Sequence, residues 1–263
     1  MQAFYKFRRV FSLLLAAIAA SGQQNGSQLE FEAASVKQAV AGSASSVRFL
    51  AGGHFQAHNS TLLAIMEQAY DVSEFRIAYG PGPASRLMES RFDIDAAAPA
   101  GSASPDQVRD MLQNLLASRF SLRVRHESRT IPIYALTPNK NGLHLSSVSS
   151  EEKSGSSPKF DFNPAGGYLV ARNVHMAELA RILEKWLDRP IADHSGFTEP
   201  FDITLSWTPG PENIHGISPA PAANDLRPSI FSALTAAGGL RLSAERDAID
   251  VIVIDHAESP SLN

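Results

Sequence analysis

The sequence predicts an α+β fold in which one small lobe occurs twice, and three observations carry that expectation. GGHFQAHN from Gly52 and GGYLVARN from Gly166 stand 114 positions apart, and each runs into a leucine-rich segment. RFDIDA from Arg91 and PFDITL from Pro200 share a Phe-Asp-Ile core. FSLRVRHESRTIPIYAL and GGLRLSAERDAIDVIVI align through Leu122 with Leu240, Val124 with Leu242 and Glu127 with Glu245. The same alignment sets Ile131, Ile133 and Ala135 against Ile249, Val251 and Val253.

The elements follow in order. The chain opens with Lys6, Arg8 and Arg9, then the apolar run Val10 to Ala20. Charge followed by a run of about eleven apolar residues predicts a secretory signal peptide, placed over residues 1–22. A membrane-spanning helix needs about twenty such residues. LEFEAASVK alternates and predicts an extra strand, with Val47 to Leu50 as its expected partner. In each lobe a Gly-Gly turn leads to a strand ending at Asn59 or Asn173. An amphipathic helix follows, with Leu62, Ile65, Met66, Ala69 and Tyr70 on its apolar face in the first lobe. Met176, Leu179, Ala180, Leu183, Trp186 and Leu187 form that face in the second.

The Phe-Asp-Ile strand is next, its Phe and Ile on one face and its Asp on the other. The second helix of the first lobe opens at Ser104-Pro105-Asp106-Gln107, where Ser caps, Pro starts the helix and Gln reaches back. Its counterpart is PSIFSALTAAGG, with Gly238-Gly239 as the stop. Each lobe is expected to close on a hairpin, so the order is β-α-β-α-β-β twice, with mixed sheets. The first lobe is placed over 23–145, a serine-rich linker over 146–163 and the second lobe over 164–263. TPGPENIHGISPAPAAND reads as a long loop inside the second lobe.

Composition narrows the function. There is no cysteine, which excludes disulfides, thiolate zinc sites and a Cys nucleophile. The net charge is −4, and loss of Lys6, Arg8 and Arg9 with the signal leaves −7. A chain that acidic is not expected to bind nucleic acid. No other stretch has transmembrane length, so the mature protein is expected to be periplasmic or secreted.

FEAASVK, GGHFQAHNSTLLAIMEQAY, SRFDIDAAAP, MLQNLLASRFSLRVRHESRTIPIYAL, DRPIADHSGFTEPFDITLSWTP and VIVIDHAESPSLN together carry a family resemblance. Across nearly the whole mature chain they resemble a soil-associated, secreted acidobacterial family defined as a domain of unknown function. Similar domains are fused to membrane metalloprotease antirepressors of the BlaR type. Their HExxH signature is absent here, so the resemblance implies no protease activity. Each half is also similar to the short N-terminal (STN-like) domain of secretins and TonB-dependent transducers, most closely in RNVHMAELARILEKWLDRPI and GLRLSAERDAIDVIVI. That likeness implies binding of other envelope proteins. One difference stands out: the first helix is capped by Thr61 in one half and by His175 in the other, and only the latter has an acid, Glu178, three residues on.

Reactive constellations read mostly as surface. Asp193-His194-Ser195 are adjacent, whereas a triad converges from separate segments. His54 and His58 on one strand face are about 13 Å apart, too far to share a metal. His126 with Glu127 reads as hairpin surface, and Asp93, Asp95 and Asp202 as strand-face carboxylates. Trp186 and Trp207 read as core anchors.

The most asymmetric patch is Arg119, Arg123, Arg125, His126 and Arg129. Leu122 and Val124 face inward, so Arg123 and Arg125 project together from the other side. Arg119, Arg123, Arg125 and Arg129 are the candidate partner-binding residues, with protection of a strand edge as the other account of them. The expected function is a non-catalytic binding module for a protein or peptide partner in the envelope, with strand addition as one mode of capture. No catalytic residue, metal or cofactor is expected. Two alternatives stay open. One is an extracytoplasmic hydrolase with carboxylates or histidines between the lobes; the other is a small-ligand module, which needs an apolar pocket at the lobe interface.

Overall fold

The computed structural model of the protein describes residues 29–40, 44–81, 84–99, 103–147, 159–163, 167–208 and 226–260. The expected signal peptide and the stretch 209–225 lie outside them. Among the described residues no helix is long and apolar enough to cross a membrane.

The fold is α+β. The first half comprises β1 (Ala33–Gln38), β2 (Ser46–Leu50), β3 (His54–Thr61), α1 (Leu62–Tyr70), a 3-10 turn (Glu74–Arg76), β4 (Ile77–Tyr79), α2 (Ala84–Met88), β5 (Arg91–Ala97), α3 (Pro105–Arg119) and β6 (Arg123–Pro138). Strands β1-β5-β3-β2 form an antiparallel sheet in that order. The expected pairing of β1 with Val47 to Leu50 is therefore corrected. β5, whose Phe92, Ile94 and Ala96 are all buried, takes a central place beside β3, with β1 on the outer side of β5 and β2 on the outer side of β3 as opposite edges. Thr61 caps α1 by accepting the Ala64 N–H at 3.1 Å. The reciprocal Ser104–Gln107 box caps α3. Apolar faces of both helices meet β5 in one core that includes Phe55, Leu62, Met66, Leu112 and Phe120.

The second half comprises β7 (Ser146–Ser147), β8 (Lys159–Asn163), β9 (Tyr168–Val174), α4 (Met176–Glu184), β10 (Ile191–Asp193), β11 (Phe201–Ser206), α5 (Ile230–Gly238) and β12 (Leu240–His256). Its sheet runs β7-β11-β9-β8. The ends of the serine-rich stretch thus contribute two strands, and 148–158 lies outside the described residues. The α4 N-terminus uses Glu178, whose carboxylate accepts the His175 N–H at 2.8 Å. Trp186 and Trp207 stack at 5.6 Å within a second core. Gly239 ends α5 at φ 67°, and a Cβ there would lie 2.1 Å from the Gly142 carbonyl, so only glycine fits.

The expected terminal hairpins are corrected. SLRVRHESRTIPIYAL and LRLSAERDAIDVIVI are each one long strand, β6 and β12, and they pair antiparallel with each other. No residue of either strand has positive φ. The polar middles read as turns are instead the exposed centre of the ribbon, where Thr130 lies across from Ala248.

β4 of the first half adds parallel to β12, and β10 of the second adds parallel to β6, giving the sheet β10-β6-β12-β4. Each half therefore lends a three-residue strand to the other's long strand. In a flat sheet, β4 and β10 would lie roughly 14 Å apart across the strands and about 30 Å along them. Yet Arg76, just before β4, donates to the Ile191 carbonyl of β10 at 2.9 Å. The sheet must coil until its opposite edges meet. Inside it lies a third core of Ile133, Ala135, Ile249, Val251 and Val253, with Ala78 and Ala192 against it. Alternating neighbours such as Leu136 and Ile254 belong to the other two cores. Burial on both faces explains the unbroken apolar runs at the ends of these strands.

Candidate functional site

The arginine stripe does not form a free cationic face. Arg119 closes α3 and lines a groove that also holds Glu30 and Glu32. Arg123 is exposed at the start of the ribbon, across from His256. Arg125 pairs with Asp255 and, at 2.7 Å, with Glu127, while Arg129 reaches Glu127 at 2.6 Å. Those hydrogen bonds, from Arg129 first and then Arg125, hold the Glu127 carboxyl below its ordinary range.

Edge protection is visible nearby. β10 covers β6 only at Tyr134 to Leu136, where the Tyr134 N–H donates to the Pro190 carbonyl. By two-residue alternation Pro132 and Thr130 turn their backbone groups the same way. Pro132 has no N–H to offer, and the Thr130 carbonyl accepts from Arg246 at 3.0 Å. On the opposite edge the Ala248 N–H donates to its neighbour Asp247 at 2.7 Å.

The other reactive residues are dispersed. The Asp193 carboxylate accepts the Ser195 N–H at 2.9 Å, the Ser195 hydroxyl accepts the Phe197 N–H at 3.2 Å, and His194 lies 3.0 Å from Asp247. This is a turn in which the three side chains do not bond to one another. His126 lies 2.8 Å from Asp250 and His58 lies 3.0 Å from Asp93, whereas His54 is exposed on its strand. Among the described residues no group of three His, Asp or Glu could hold a metal ion.

The Phe-Asp-Ile acids have a structural task. Asn59 and Asn173 adopt left-handed φ of 43° and 52° at register shifts in the β3–β5 and β9–β11 pairings. Asp93 accepts the Asn59 N–H at 2.7 Å, and Asp202 accepts the Asn173 N–H at 2.8 Å. Each acid also holds the residue before that Asn: His58 in one half and Arg172, at 2.7 Å, in the other. Asp95 is exposed two residues beyond.

The chain's most concentrated electrostatics lie where the halves meet. Glu184, at the end of α4, is only 3 % exposed. Its carboxylate accepts from Arg76 Nε at 2.7 Å, Arg76 Nη2 at 2.8 Å, the Ser73 hydroxyl at 2.5 Å and the Ile191 N–H at 3.0 Å. A buried carboxylate is tolerated only when so fully satisfied. Beside it Asp71 ends α1 in a left-handed conformation at φ 50°. An acid at a helix C-terminus is disfavoured by the helix dipole. Here Arg181, Lys185 at 3.6 Å and Arg109 at 3.9 Å reverse that.

Glu67 and Asp71 occupy the positions along and just after α1 that Arg181 and Lys185 occupy on α4. The first helices of the halves thus carry opposite charges at matching places. Burial, followed by the Glu74 carboxylate, pushes the Glu67 carboxyl up to about 7, although it accepts the Glu74 N–H at 2.8 Å. Burial first, and then Arg181 and Arg109, lower the Lys185 ammonium.

A cleft of about 310 Å³ opens against this junction. Val72, Ala177, Ala180 and Ile191 give it apolar walls. The pairs Asp71–Arg181 and Arg76–Glu184 border it, as does Asp193. Sequence reading pointed to none of these charged residues as a site. One signal was available: Glu184 lies four residues beyond Ala180 and beside Leu183, on an otherwise apolar helix face. The cationic partner of that acid, Arg76, carries no comparable signal.

No curated protein and no solved structure matches the chain. A family model described as protein of unknown function (DUF3738) matches residues 63–257, from the first helix to just past the last strand, and the chain belongs to that family.

Proposed function

We propose that the protein is a non-catalytic binding module working outside the cytoplasm, and that its site is the cleft between the two halves. One observation carries this reading: the apolar walls Val72, Ala177, Ala180 and Ile191 lie between charges already fixed in intramolecular pairs. Such a concavity supplies desolvated contact area on a rigid rim, which suits a side chain inserted by a protein or peptide partner. The arginine stripe carries less weight, because Glu127 and Asp255 already occupy Arg125 and Arg129. The non-catalytic part is supported by the separate partners of Asp193, His194 and Ser195.

The extracytoplasmic location rests on the basic start and the apolar run that follows it. We read the halves as descendants of one duplicated unit, related to the short domains of secretins and TonB-dependent transducers and shared with secreted acidobacterial proteins. The matched left-handed asparagines and their aspartate anchors support the duplication.

The test is a photo-crosslinking residue at Ala177, which is exposed at the cleft, used in the native envelope beside one at the exposed Arg123. Capture of one partner from the cleft position, lost when Ala180 is replaced by Leu, is the expected result. Capture from Arg123 alone would overturn the assignment.

A further inference from the structure

The charges that line the cleft do not balance, and the remainder points to what enters it. Of the lining residues, Arg76 pairs with Glu184 and Arg181 with Asp71, which also holds Lys185 and Arg109 from outside the lining. Asp193 is left over. Its partner is the Ser195 N–H at 2.9 Å, and among the described residues no cation pairs with it. Asp193 and Ile191 stand two apart on β10, so both side chains face the cleft, while Ala192 between them packs on the third core. On the facing helix, Ala177 and Ala180 occupy the places that Leu63 and Met66 hold on α1, counted from the helix start. The second half keeps open a space that larger side chains would reduce.

We infer that the cleft takes a lysine side chain of the partner protein; this rests on the cleft being the binding site. The aliphatic stem lies along Val72, Ala177, Ala180 and Ile191, and the ammonium meets Asp193 at the mouth. An anionic group would be repelled by Asp193, and both cations that line the cleft, Arg76 and Arg181, are already held in pairs. Arginine fits less well, because Asp193 Oδ1 already accepts the Ser195 N–H. One free oxygen suits a point charge, whereas a planar guanidinium is best matched by both.

The experiment titrates the intact chain with acetyl-Gly-Lys-Gly-amide and with the norleucine analogue, which has the same stem without the charge, following the amide signals of Ala177, Ala180 and Ile191. The lysine peptide is expected to bind about fivefold more tightly than norleucine, the scale of a partly exposed ion pair. Asp193→Asn should erase that preference and leave norleucine binding unchanged. Ala180→Leu should weaken both peptides, and its thermal melt reports whether it folds. Equal affinity for both peptides, or a lysine preference that survives Asp193→Asn, overturns the lysine assignment and leaves the cleft standing as a site. No response at the cleft to either peptide overturns both readings.

Discussion

Arg76 and Glu184 come from different halves of the chain and join through two hydrogen bonds, of 2.7 and 2.8 Å, at a point where the carboxylate is buried. Removing either partner strands the other charge out of water. Arg76→Met and Glu184→Met are each expected to cost about 3–5 kcal/mol. Arg76→Met with Glu184→Met should cost well below the sum, because no unpaired charge remains. Denaturant unfolding of the four proteins measures the coupling, and strictly additive losses would show that the pair does not hold the halves together.

Asp71 separates charge from backbone. Asparagine tolerates left-handed φ, so Asp71→Asn removes only the attraction to Arg181, Lys185 and Arg109. It should cost about 1 kcal/mol at low salt and less at about 1 M salt. Asp71→Ala should cost more in both conditions, since it adds strain at φ 50°. Equal costs for the two variants would contradict this account.

Glu67 makes stability depend on pH. Its folded value of about 7 lies above the ordinary 4.5, so as pH rises the unfolded chain releases this proton first. Between those values the folded state binds more protons, and stability present below the lower value is lost as pH rises through the upper one. Glu67→Gln keeps an oxygen for the Glu74 N–H. It is expected to melt several degrees above the parent at about pH 8 and close to it at about pH 4. The same pH profile in both proteins would remove Glu67 as the cause.

The two aspartate anchors should behave alike. Asp93→Ala and Asp202→Ala each free the N–H of a left-handed asparagine, and each should cost about 1–2 kcal/mol. A large loss at one site with none at the other would show that the two bulges are not equivalent in function.

The ribbon edge offers a solubility test. Pro132→Val with Arg246→Ala restores one outward N–H and frees the Thr130 carbonyl. The double variant is expected to self-associate at concentrations where the parent stays monodisperse by light scattering. Unchanged behaviour would mean that these residues do not guard the edge.

Much of the local structure was legible in the sequence. Three-and-four spacing marked α1, α3 and α4, the Ser104–Gln107 box marked where α3 begins, and the Phe-Asp-Ile cores marked β5 and β11. The hairpins were misread because polar residues at a strand centre resemble a turn until the partner strand is known. β4 and β10 were missed because three residues carry too little periodicity to register. The arginines of the stripe and the nearby Glu127 were visible, but the second acid on Arg125 was not: Asp255 lies 130 positions away.

The sequence by itself determined the α+β class and the places of α1, α3 and α4, because amphipathic period and capping chemistry act over a few residues. Only the tertiary structure decided that β6 pairs with β12, that the short strands cross between halves, and that Glu184 finds Arg76. All but one of those pairings join residues more than a hundred positions apart, and the exception, β10 with β6, spans 57. They are set by burying both faces of a coiled sheet and satisfying the Glu184 carboxylate trapped beside it, conditions that exist only once the chain has closed on itself.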